Sequence, residues 1–167
     1  SKSMARDFLK EFTIDAKYTL KPSKPDISKQ RTDIKGGLKK IFKDEEPSMV
    51  VVVGDVNSTL WAAEVADSMD IPLAHIEAGL RSHNKKMPEE HNRIETDKLS
   101  DLLFATQQEG IRNLHKEGIN RGVYLAGNIM IDTLKMFLPR TKRPEKGKYY
   151  FCTLHRAENV DNKKVFK

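Results

Sequence analysis

A run of five apolar residues at positions 49–53 constrains the fold of this chain more than any other feature of its sequence. Four of the five are valines, and no polar residue alternates with them, which is typical of a parallel strand covered on both faces. Gly54 and Asp55 follow where such a strand ends. The sequence therefore predicts an interior strand of an α/β sheet, with polar residues at the edge where open α/β sheets bind ligands.

Helical and strand patterns alternate along most of the chain. After a short amphipathic helix over residues 3–12, helices are expected over residues 26–44, 57–69, 89–100, 107–117 and 129–137. Strands are expected over residues 49–53, 71–76, 102–106 and 123–126. Asn57 or Ser58 has a side chain suited to cap the helix after the first strand. This order predicts an α/β fold, a Rossmann-like doubly wound parallel sheet with helices on both faces.

The composition changes after residue 138, which indicates more than one domain. Residues 1–138 form the predicted Rossmann-like domain, and residues 139–147 are polar, basic and rich in proline, as is typical of a linker. A new strand is expected over residues 148–153, and residues 148–167 are interpreted as the start of a second, nucleotide-binding α/β domain that is truncated here. Cys152 lies in this strand and is expected to pack there as a small apolar side chain.

The distribution of charged and apolar residues argues against several classes of protein. The net charge is +6, but Lys and Arg are interleaved with acidic residues along the whole length, so nucleic acid is not an expected partner. No run approaches the roughly 18 apolar residues of a membrane helix, and the first twenty residues do not resemble a signal peptide. The single cysteine excludes an internal disulfide, so a cytoplasmic location fits best.

Carboxylates at the ends of the first two predicted strands are candidates for chemistry. Asp55 follows the valine run, although a turn or capping role is the simpler explanation when it is taken alone. Glu77 lies among small residues at the end of the second strand, a position that suits general acid or base work. An ion pair between Glu77 and Arg81 that fixes the loop is an equally good interpretation.

A third carboxylate, Glu89, follows Pro88 at the start of the next predicted helix. Stabilisation of the positive helix end is the simpler interpretation of this position. The loop over residues 82–86 nevertheless allows Glu77 and Glu89 to approach one crevice, where two carboxylates can divide acid and base roles.

Three histidines are also candidate site residues. His155, followed by Arg156, comes after the last predicted strand, where a histidine can bind a diphosphate or transfer a proton; a structural role is the alternative. His91 and Glu95 have the i,i+4 spacing of metal ligands on a helix, with His83 as a possible addition. The set lacks the His-Glu-x-x-His pattern and a convincing third ligand, so no metal site is expected.

Five short motifs follow one another along nearly the whole chain. They are Gly54-Asp55-Val56-Asn57-Ser58-Thr59, His75-Ile76-Glu77-Ala78-Gly79-Leu80-Arg81, Pro88-Glu89-Glu90-His91-Asn92-Arg93, Ala126-Gly127-Asn128-x-x-Ile131-Asp132 and Thr153-Leu154-His155-Arg156-Ala157-Glu158-Asn159. Each motif alone is weak. Together, in their order and spacing, they resemble the non-hydrolysing UDP-N-acetylglucosamine 2-epimerases.

The resemblance implies a fold, a reaction and a set of partners. The fold is a two-domain GT-B-like architecture, like that of UDP-glycosyltransferases and glycogen phosphorylase, in which the second domain holds most of the UDP. The reaction interconverts UDP-N-acetylglucosamine and UDP-N-acetylmannosamine by elimination and re-addition of UDP, with exchange of the C2 proton and with no cofactor. The expected partners are a UDP-sugar substrate and a second copy in a homodimer. N-acetylmannosamine units for polysaccharide biosynthesis are the expected product.

The resemblance also implies roles for residues in the matching motifs. The catalytic set comprises Asp55, Glu77, Glu89 and His155, with the histidine contacting the phosphates of the nucleotide. The substrate-binding set comprises Arg81, Arg93 and Arg156. The roles of proton acceptor and proton donor stay open among the three carboxylates.

The chain departs from the family pattern at both ends. The family begins with a strand leading into a Gly-Thr-Arg-Pro-Glu loop that this sequence does not contain. The resemblance therefore implies a fragment that lacks the central first strand and most of the carboxyl-terminal domain, without turnover of its own. The alternatives are a hydrolysing relative, a GT-B glycosyltransferase and a non-catalytic binding or dimerisation module.

Overall fold

The computed structural model describes residues 9–23, 26–142, 147–153 and 160. The chain divides into two compact units, residues 1–129 and residues 130–167. The domain limits and the linker inferred above from composition stay predictions. Among the described residues, no helix is both long enough and apolar enough to cross a membrane.

Helices and strands alternate through the first unit as the sequence predicts. The helices are α1 (Ile27–Glu45), α2 (Asn57–Asp67), α3 (Pro88–Leu99) and α4 (Gln108–Lys116), and the strands are β1 (Val50–Val53), β2 (Leu73–Ala78), β3 (Leu102–Ala105) and β4 (Val123–Leu125). Helix α5 (Ile129–Phe137) begins where this unit ends and leads into a 3₁₀ turn (Leu138–Arg140). Residues 9–11 are helical, and residues 3–8 of the predicted first helix lie outside the described residues.

The four strands form one parallel sheet in the order β1-β2-β3-β4, which confirms the α/β fold class. Its apolar core consists of two clusters. The first cluster joins β1 and β2 to α2, and its buried members are Val50, Val52, Ala63, Ala66 and Leu73. The second cluster joins β2 and β3 to α4, and its buried members are Ala78, Leu103 and Leu114. This packing fixes the carboxyl ends of β1 and β2 side by side, since the two strands pair in register along their length.

Strand β1 lies at the edge of the described sheet, so the predicted interior position is wrong for this part of the chain. It pairs with β2 only. Val50 and Val52 are buried, whereas Val51 and Val53 point to the opposite face and are 56% and 47% exposed. An unbroken apolar run identifies a strand. The burial of that strand depends on the strands and helices that pack beside it, which the run itself does not specify.

The opposite face of the sheet is largely open within the described residues. Val53 shares this face with Ile76, Phe104 and Tyr124, which pair across the four strands. The rings of Phe104 and Tyr124 stack with centroids 5.7 Å apart, and Tyr124 is half exposed. Both apolar clusters lie on the other face, so the predicted helical cover on both faces is not present in this part of the chain.

Residues 147–153 form no strand, contrary to the sequence prediction. Tyr150 and Phe151 are exposed, and so is Cys152, which was expected to be packed. The sheet of the described residues contains β1 to β4 only, and a strand needs a paired neighbour to complete its backbone hydrogen bonds.

Gly79, just after β2, marks the closest approach of the sheet to α4. Its φ is +78°, and a Cβ at this position would lie 2.4 Å from the carbonyl oxygen of Gly110. We expect Gly79→Ala to lower the free energy of unfolding by at least about 2 kcal/mol, because a left-handed alanine and an overpacked contact each cost roughly 1–3 kcal/mol. Urea unfolding followed by circular dichroism measures the change.

Gly36→Ala is the matched control for this substitution. Gly36 lies within α1, and a Cβ there would have no atom within 4 Å. Alanine should therefore stabilise the chain by about 0.5–1 kcal/mol. Equal effects of the two substitutions would contradict the role given to the Gly79–Gly110 contact.

Candidate active site

The candidate site lies at the carboxyl ends of β1 and β2, where the amino end of α3 approaches them. Gly54 ends β1 with a φ of +71°, and Asp55 follows it. Helix α2 begins after Val56 without a side-chain cap, so the capping predicted for Asn57 or Ser58 is wrong. The Asn57 side chain instead accepts a hydrogen bond from Asn92 of α3 at 2.9 Å.

Glu77 is the extra residue of a β-bulge in β2. Ile76 pairs with Phe104 and Ala78 with Ala105, so Glu77 stands opposite no residue of β3. Its φ of 72° is in the left-handed region, which is uncommon and strained for a residue other than glycine. Bulges of this kind re-aim a side chain next to an active site. Here the Glu77 carboxylate lies beside the β1 turn, since a Cβ on Gly54 would be 3.4 Å from Glu77 Oε2.

The Glu77 carboxylate is half-buried and forms neither a hydrogen bond nor an ion pair within the described part of the chain. The Glu77–Arg81 ion pair considered from sequence is absent there. Arg81 instead pairs with Asp97 at 2.8 Å and with Glu117 at 2.6 Å. The Glu77 carboxylate is therefore available to exchange a proton with a ligand.

Asp55 differs from Glu77 in having a cationic partner. The Arg93 guanidinium donates to Asp55 Oδ2 and also to Glu90 Oε2, the second at 3.0 Å. The backbone oxygen of Asp55 accepts from the Asn92 amide at 2.9 Å. Two consecutive residues of α3 thus hold the Asp55 turn against the start of that helix.

The two adjacent glutamates of α3 have different environments. Glu89 lies in the first turn of α3 and is exposed. Glu90 is 3% exposed, and its carboxylate accepts from Ser82 N, Ser82 Oγ and His83 N at 2.8–2.9 Å. Glu90 was not singled out from the sequence. It fixes the start of the loop over residues 82–87, which joins β2 to α3.

These hydrogen bonds make the stability of the chain depend on pH. Burial by itself would raise the pKa of Glu90, but the hydrogen bonds from Ser82 and His83 and the charge of Arg93 outweigh it, so the pKa is lower than the ordinary 4.5. A lowered pKa adds stability above the unfolded value, and that stability is lost as pH falls through the folded value.

We therefore expect Glu90→Gln to lower the free energy of unfolding by about 1–3 kcal/mol at pH 7. The difference from the unsubstituted chain should shrink below about pH 4.5, where the Glu90 carboxylate of the unfolded chain takes up its proton. Urea unfolding at a series of pH values measures this. Glu89→Gln, one residue away and exposed, is the control. A loss for Glu90→Gln that does not vary with pH would contradict this account.

A buried histidine–aspartate pair lies beneath the site and was not identified from the sequence. His75 of β2 is fully buried; its Nδ1 lies 2.7 Å from Asp97 Oδ1 and its Nε2 lies 2.9 Å from the Gly54 carbonyl oxygen. Asp97 also accepts from Gly79 N at 3.1 Å. Burial alone would lower the pKa of Arg81, but its carboxylate partners Glu117 and Asp97 raise that pKa above its ordinary value.

A cavity of about 270 Å³ opens beside Arg93, with Ser82, Gln107 and Asn113 among its lining residues. This is an opening at the carboxyl edge of the sheet, next to the arginine that holds Asp55. His155 and Arg156, the two candidates from the second predicted domain, lie outside the described residues. In the described ranges, no three His, Cys, Asp or Glu side chains are grouped to hold a metal ion.

The sequence model of a family described as UDP-N-acetylglucosamine 2-epimerase matches residues 1–167. The chain belongs to the UDP-N-acetylglucosamine 2-epimerase family. The candidate site lies within the residues that the family model matches. Its bulged Glu77 and its Asp55–Arg93 pair lie in the motifs that suggested the family from sequence.

Individual relatives in the epimerase family agree with this assignment. The UDP-N-acetylglucosamine 2-epimerase of Methanocaldococcus jannaschii is 36% identical over 180 aligned positions, which cover 100% of this chain and 49% of that protein. The crystal structure of the M. jannaschii enzyme in complex with UDP-GlcNAc and UDP has a TM-score of 0.86 and 36% identity, with 95% of this chain and 47% of that chain covered.

A second type of 2-epimerase is also similar. The UDP-2,3-diacetamido-2,3-dideoxy-D-glucuronate 2-epimerase of Pseudomonas aeruginosa is 43% identical over 129 residues, which cover 73% of this chain and 36% of that protein. The chain thus spans half or less of the length of the curated relatives it matches.

Proposed function

We propose that this chain supplies the proton-transfer half of a UDP-N-acetylglucosamine 2-epimerase site, which interconverts UDP-N-acetylglucosamine and UDP-N-acetylmannosamine. The observation that carries the proposal is the unpaired Glu77 carboxylate, held by a strained bulge against the turn that bears Asp55. Family membership and the M. jannaschii enzyme solved with UDP-GlcNAc support the choice of substrate.

The reaction requires a base, a leaving group and a proton donor. The base takes the C2 proton, the C2–H electron pair forms a C1–C2 double bond, and the C1–O bond breaks so that UDP leaves with that bonding pair. Re-addition of UDP to C1 and delivery of a proton to the other face of C2 give the epimer. No atom is gained or lost overall, so no oxidant is needed.

The residues of the chain fit these steps in different ways. Among the described residues, the carboxylates of Glu77 and Glu89 have no hydrogen-bond or ion-pair partner, so these two are the candidates to remove and return the C2 proton. The Arg93 guanidinium binds the Asp55 carboxylate and holds it in place, which suits Asp55 to orient the sugar and to stabilise positive charge. On the family motifs, we assign contact with the nucleotide phosphates to His155 and contact with the substrate to Arg93 and Arg156. The Arg81 side chain, which is 2% exposed, binds Asp97 and Glu117 instead.

Incubation of the complete protein with UDP-N-acetylglucosamine in deuterated water tests the proposal. We expect deuterium at C2 and the appearance of UDP-N-acetylmannosamine in the proton NMR spectrum. Release of UDP without UDP-N-acetylmannosamine would replace the proposal with a hydrolysing relative or a glycosyltransferase. Binding with no exchange at C2 would leave a binding or dimerisation module.

A second candidate substrate is UDP-2,3-diacetamido-2,3-dideoxy-D-glucuronate, which the 43% identical P. aeruginosa relative favours. The C2 chemistry is the same, but this sugar carries an acetamido group at C3 and a carboxylate at C6. The ratio of kcat/KM values for the two UDP-sugars decides between them, and a ratio above about tenfold in either direction corresponds to at least about 1.4 kcal/mol of transition-state binding.

We further propose that the complete protein works in the cytoplasm as a homodimer and supplies N-acetylmannosamine units for surface polysaccharide. Family membership is the support for assembly and role, and the single cysteine is consistent with a reducing compartment. Light scattering coupled to size-exclusion chromatography gives the assembly state, and a monomer at working concentrations would overturn that part.

A further inference from the structure

The buried His75–Asp97 pair connects both of the turns that carry candidate catalytic carboxylates. His75 reaches the turn after β1 through its Nε2 contact with the Gly54 carbonyl, one residue before Asp55. Asp97 reaches the end of β2 through the Gly79 amide, two residues after Glu77. Each turn is therefore attached to the same pair of side chains.

The hydrogen-bond partners fix the geometry of this pair. The Gly54 carbonyl can only accept, so His75 Nε2 donates to it at 2.9 Å. Asp97 Oδ2 accepts from Gly79 N at 3.1 Å and faces Arg81 Nη1 at 2.8 Å. His75 Nδ1 lies 2.7 Å from Asp97 Oδ1, so the contact between the two side chains completes the connection between the turns.

Arg81 connects the pair to the end of α4. Its side chain is 2% exposed and binds both the fully buried carboxylate of Asp97 and the more exposed carboxylate of Glu117. Loss of the Arg81–Asp97 contact would leave a buried charge without its partner, so this arrangement of Asp97 is favoured.

We propose that His75 and Asp97 are positioning residues that set the separation of the Asp55 and Glu77 carboxylates. Neither residue needs to touch the substrate. The catalytic consequence rests on the proposed epimerase function, whereas the attachment of the two turns does not depend on it.

Two substitutions of His75 separate its two contacts. Glutamine places an amide where Nε2 lies and keeps a donor for the Gly54 carbonyl; asparagine places an amide where Nδ1 lies and keeps only the Asp97 contact. In the complete protein, we expect His75→Asn to lower kcat by roughly 10²-fold with KM within about twofold, because a displacement near 1 Å costs that much. His75→Gln should lower kcat by a similar factor, because it breaks the other contact of the same connection between the turns.

The comparison uses temperatures at which both variants are folded, with His115→Asn on the exposed face of α4 as the control. A purely structural role would reduce the thermal stability of both variants and leave kcat of the folded protein unchanged. Equal kcat values for His75→Asn and the unsubstituted protein would overturn the proposal, and so would an unchanged kcat in His75→Gln.

Two NMR measurements on this chain do not require enzymatic activity. Nitrogen-15 spectra should show one-bond coupling to a proton at His75 Nε2, the donor to the Gly54 carbonyl; an Nε2 without a proton would overturn that contact. Exchange of the Gly54 amide, which donates to the Ile76 carbonyl at 3.0 Å, should accelerate in His75→Asn but not in His75→Gln. Unchanged exchange in His75→Asn would overturn the attachment. Absence of epimerisation by the unsubstituted protein would instead refute the proposed function.

Discussion

Glu77→Gln in the complete protein is expected to lower kcat for epimerisation by roughly 10²–10⁴-fold, the range that a positioned acid or base contributes. Glutamine keeps the size and shape of the side chain but cannot take or return a proton. The bulge and the contact with the Gly54 turn should survive, because neither depends on the charge of the carboxylate. The measurement is the initial rate of deuterium incorporation at C2 of UDP-N-acetylglucosamine.

The control for this substitution is Glu46→Gln. Glu46 also has a positive φ, 44°, but it lies exposed at the end of α1, outside the site. It should retain the exchange rate and the thermal stability of the unsubstituted protein. Near-normal exchange in Glu77→Gln would remove Glu77 from proton transfer and leave Glu89 as the remaining free carboxylate in the proposed set.

Asp97→Ala is expected to lower the free energy of unfolding by about 3–5 kcal/mol, as is usual when one partner of a buried ion pair is removed. The substitution leaves His75 Nδ1, Arg81 Nη1 and the Gly79 amide without their common acceptor. Since small domains have roughly 5–15 kcal/mol in total, this loss brings the chain close to unfolding at room temperature. Urea unfolding followed by circular dichroism gives the value.

A second variant keeps this prediction measurable if the alanine variant does not fold. Asp97→Asn retains an acceptor oxygen and the side-chain volume but loses the charge, so it should fall between alanine and the native residue. Asp67→Ala, exposed at the end of α2, is the control and should change stability by less than about 0.5 kcal/mol. A change below about 1 kcal/mol for Asp97→Ala would show that the pair is not a major source of stability.

The order of helices and strands in the first unit could be predicted because it depends on local patterns. The valine run, the apolar faces of the helices and the proline at the start of α3 are each visible within a few residues of sequence. Whether a helix covers a given face of the sheet cannot be predicted from local patterns. The exposure of Val51 and Val53 depends on which segments pack against their face of β1, and the two valine side chains do not specify those segments.

The site shows the same division between local and distant information. Asp55 and Glu77 could be found because both follow apolar strands, and the family motifs selected them with Glu89. The distinction between Glu89 and Glu90 could not be made, since it depends on the chain folding back to place the Ser82 and His83 amides at Glu90 alone. His75 and Asp97 are 22 residues apart and meet only when α3 packs on β2.

The bulge at Glu77 makes the position of its carboxylate independent of the side chains that pack around β2. Because Glu77 pairs with no residue of β3, the neighbouring residues can change to suit the packing without rotating the Glu77 side chain away from the β1 turn. The arrangement is therefore sensitive to chain length: a one-residue deletion here would restore a regular ladder and withdraw the carboxylate of position 77 from the β1 turn. We expect insertions and deletions at this point, more than exchanges of one apolar side chain for another, to abolish the proposed activity.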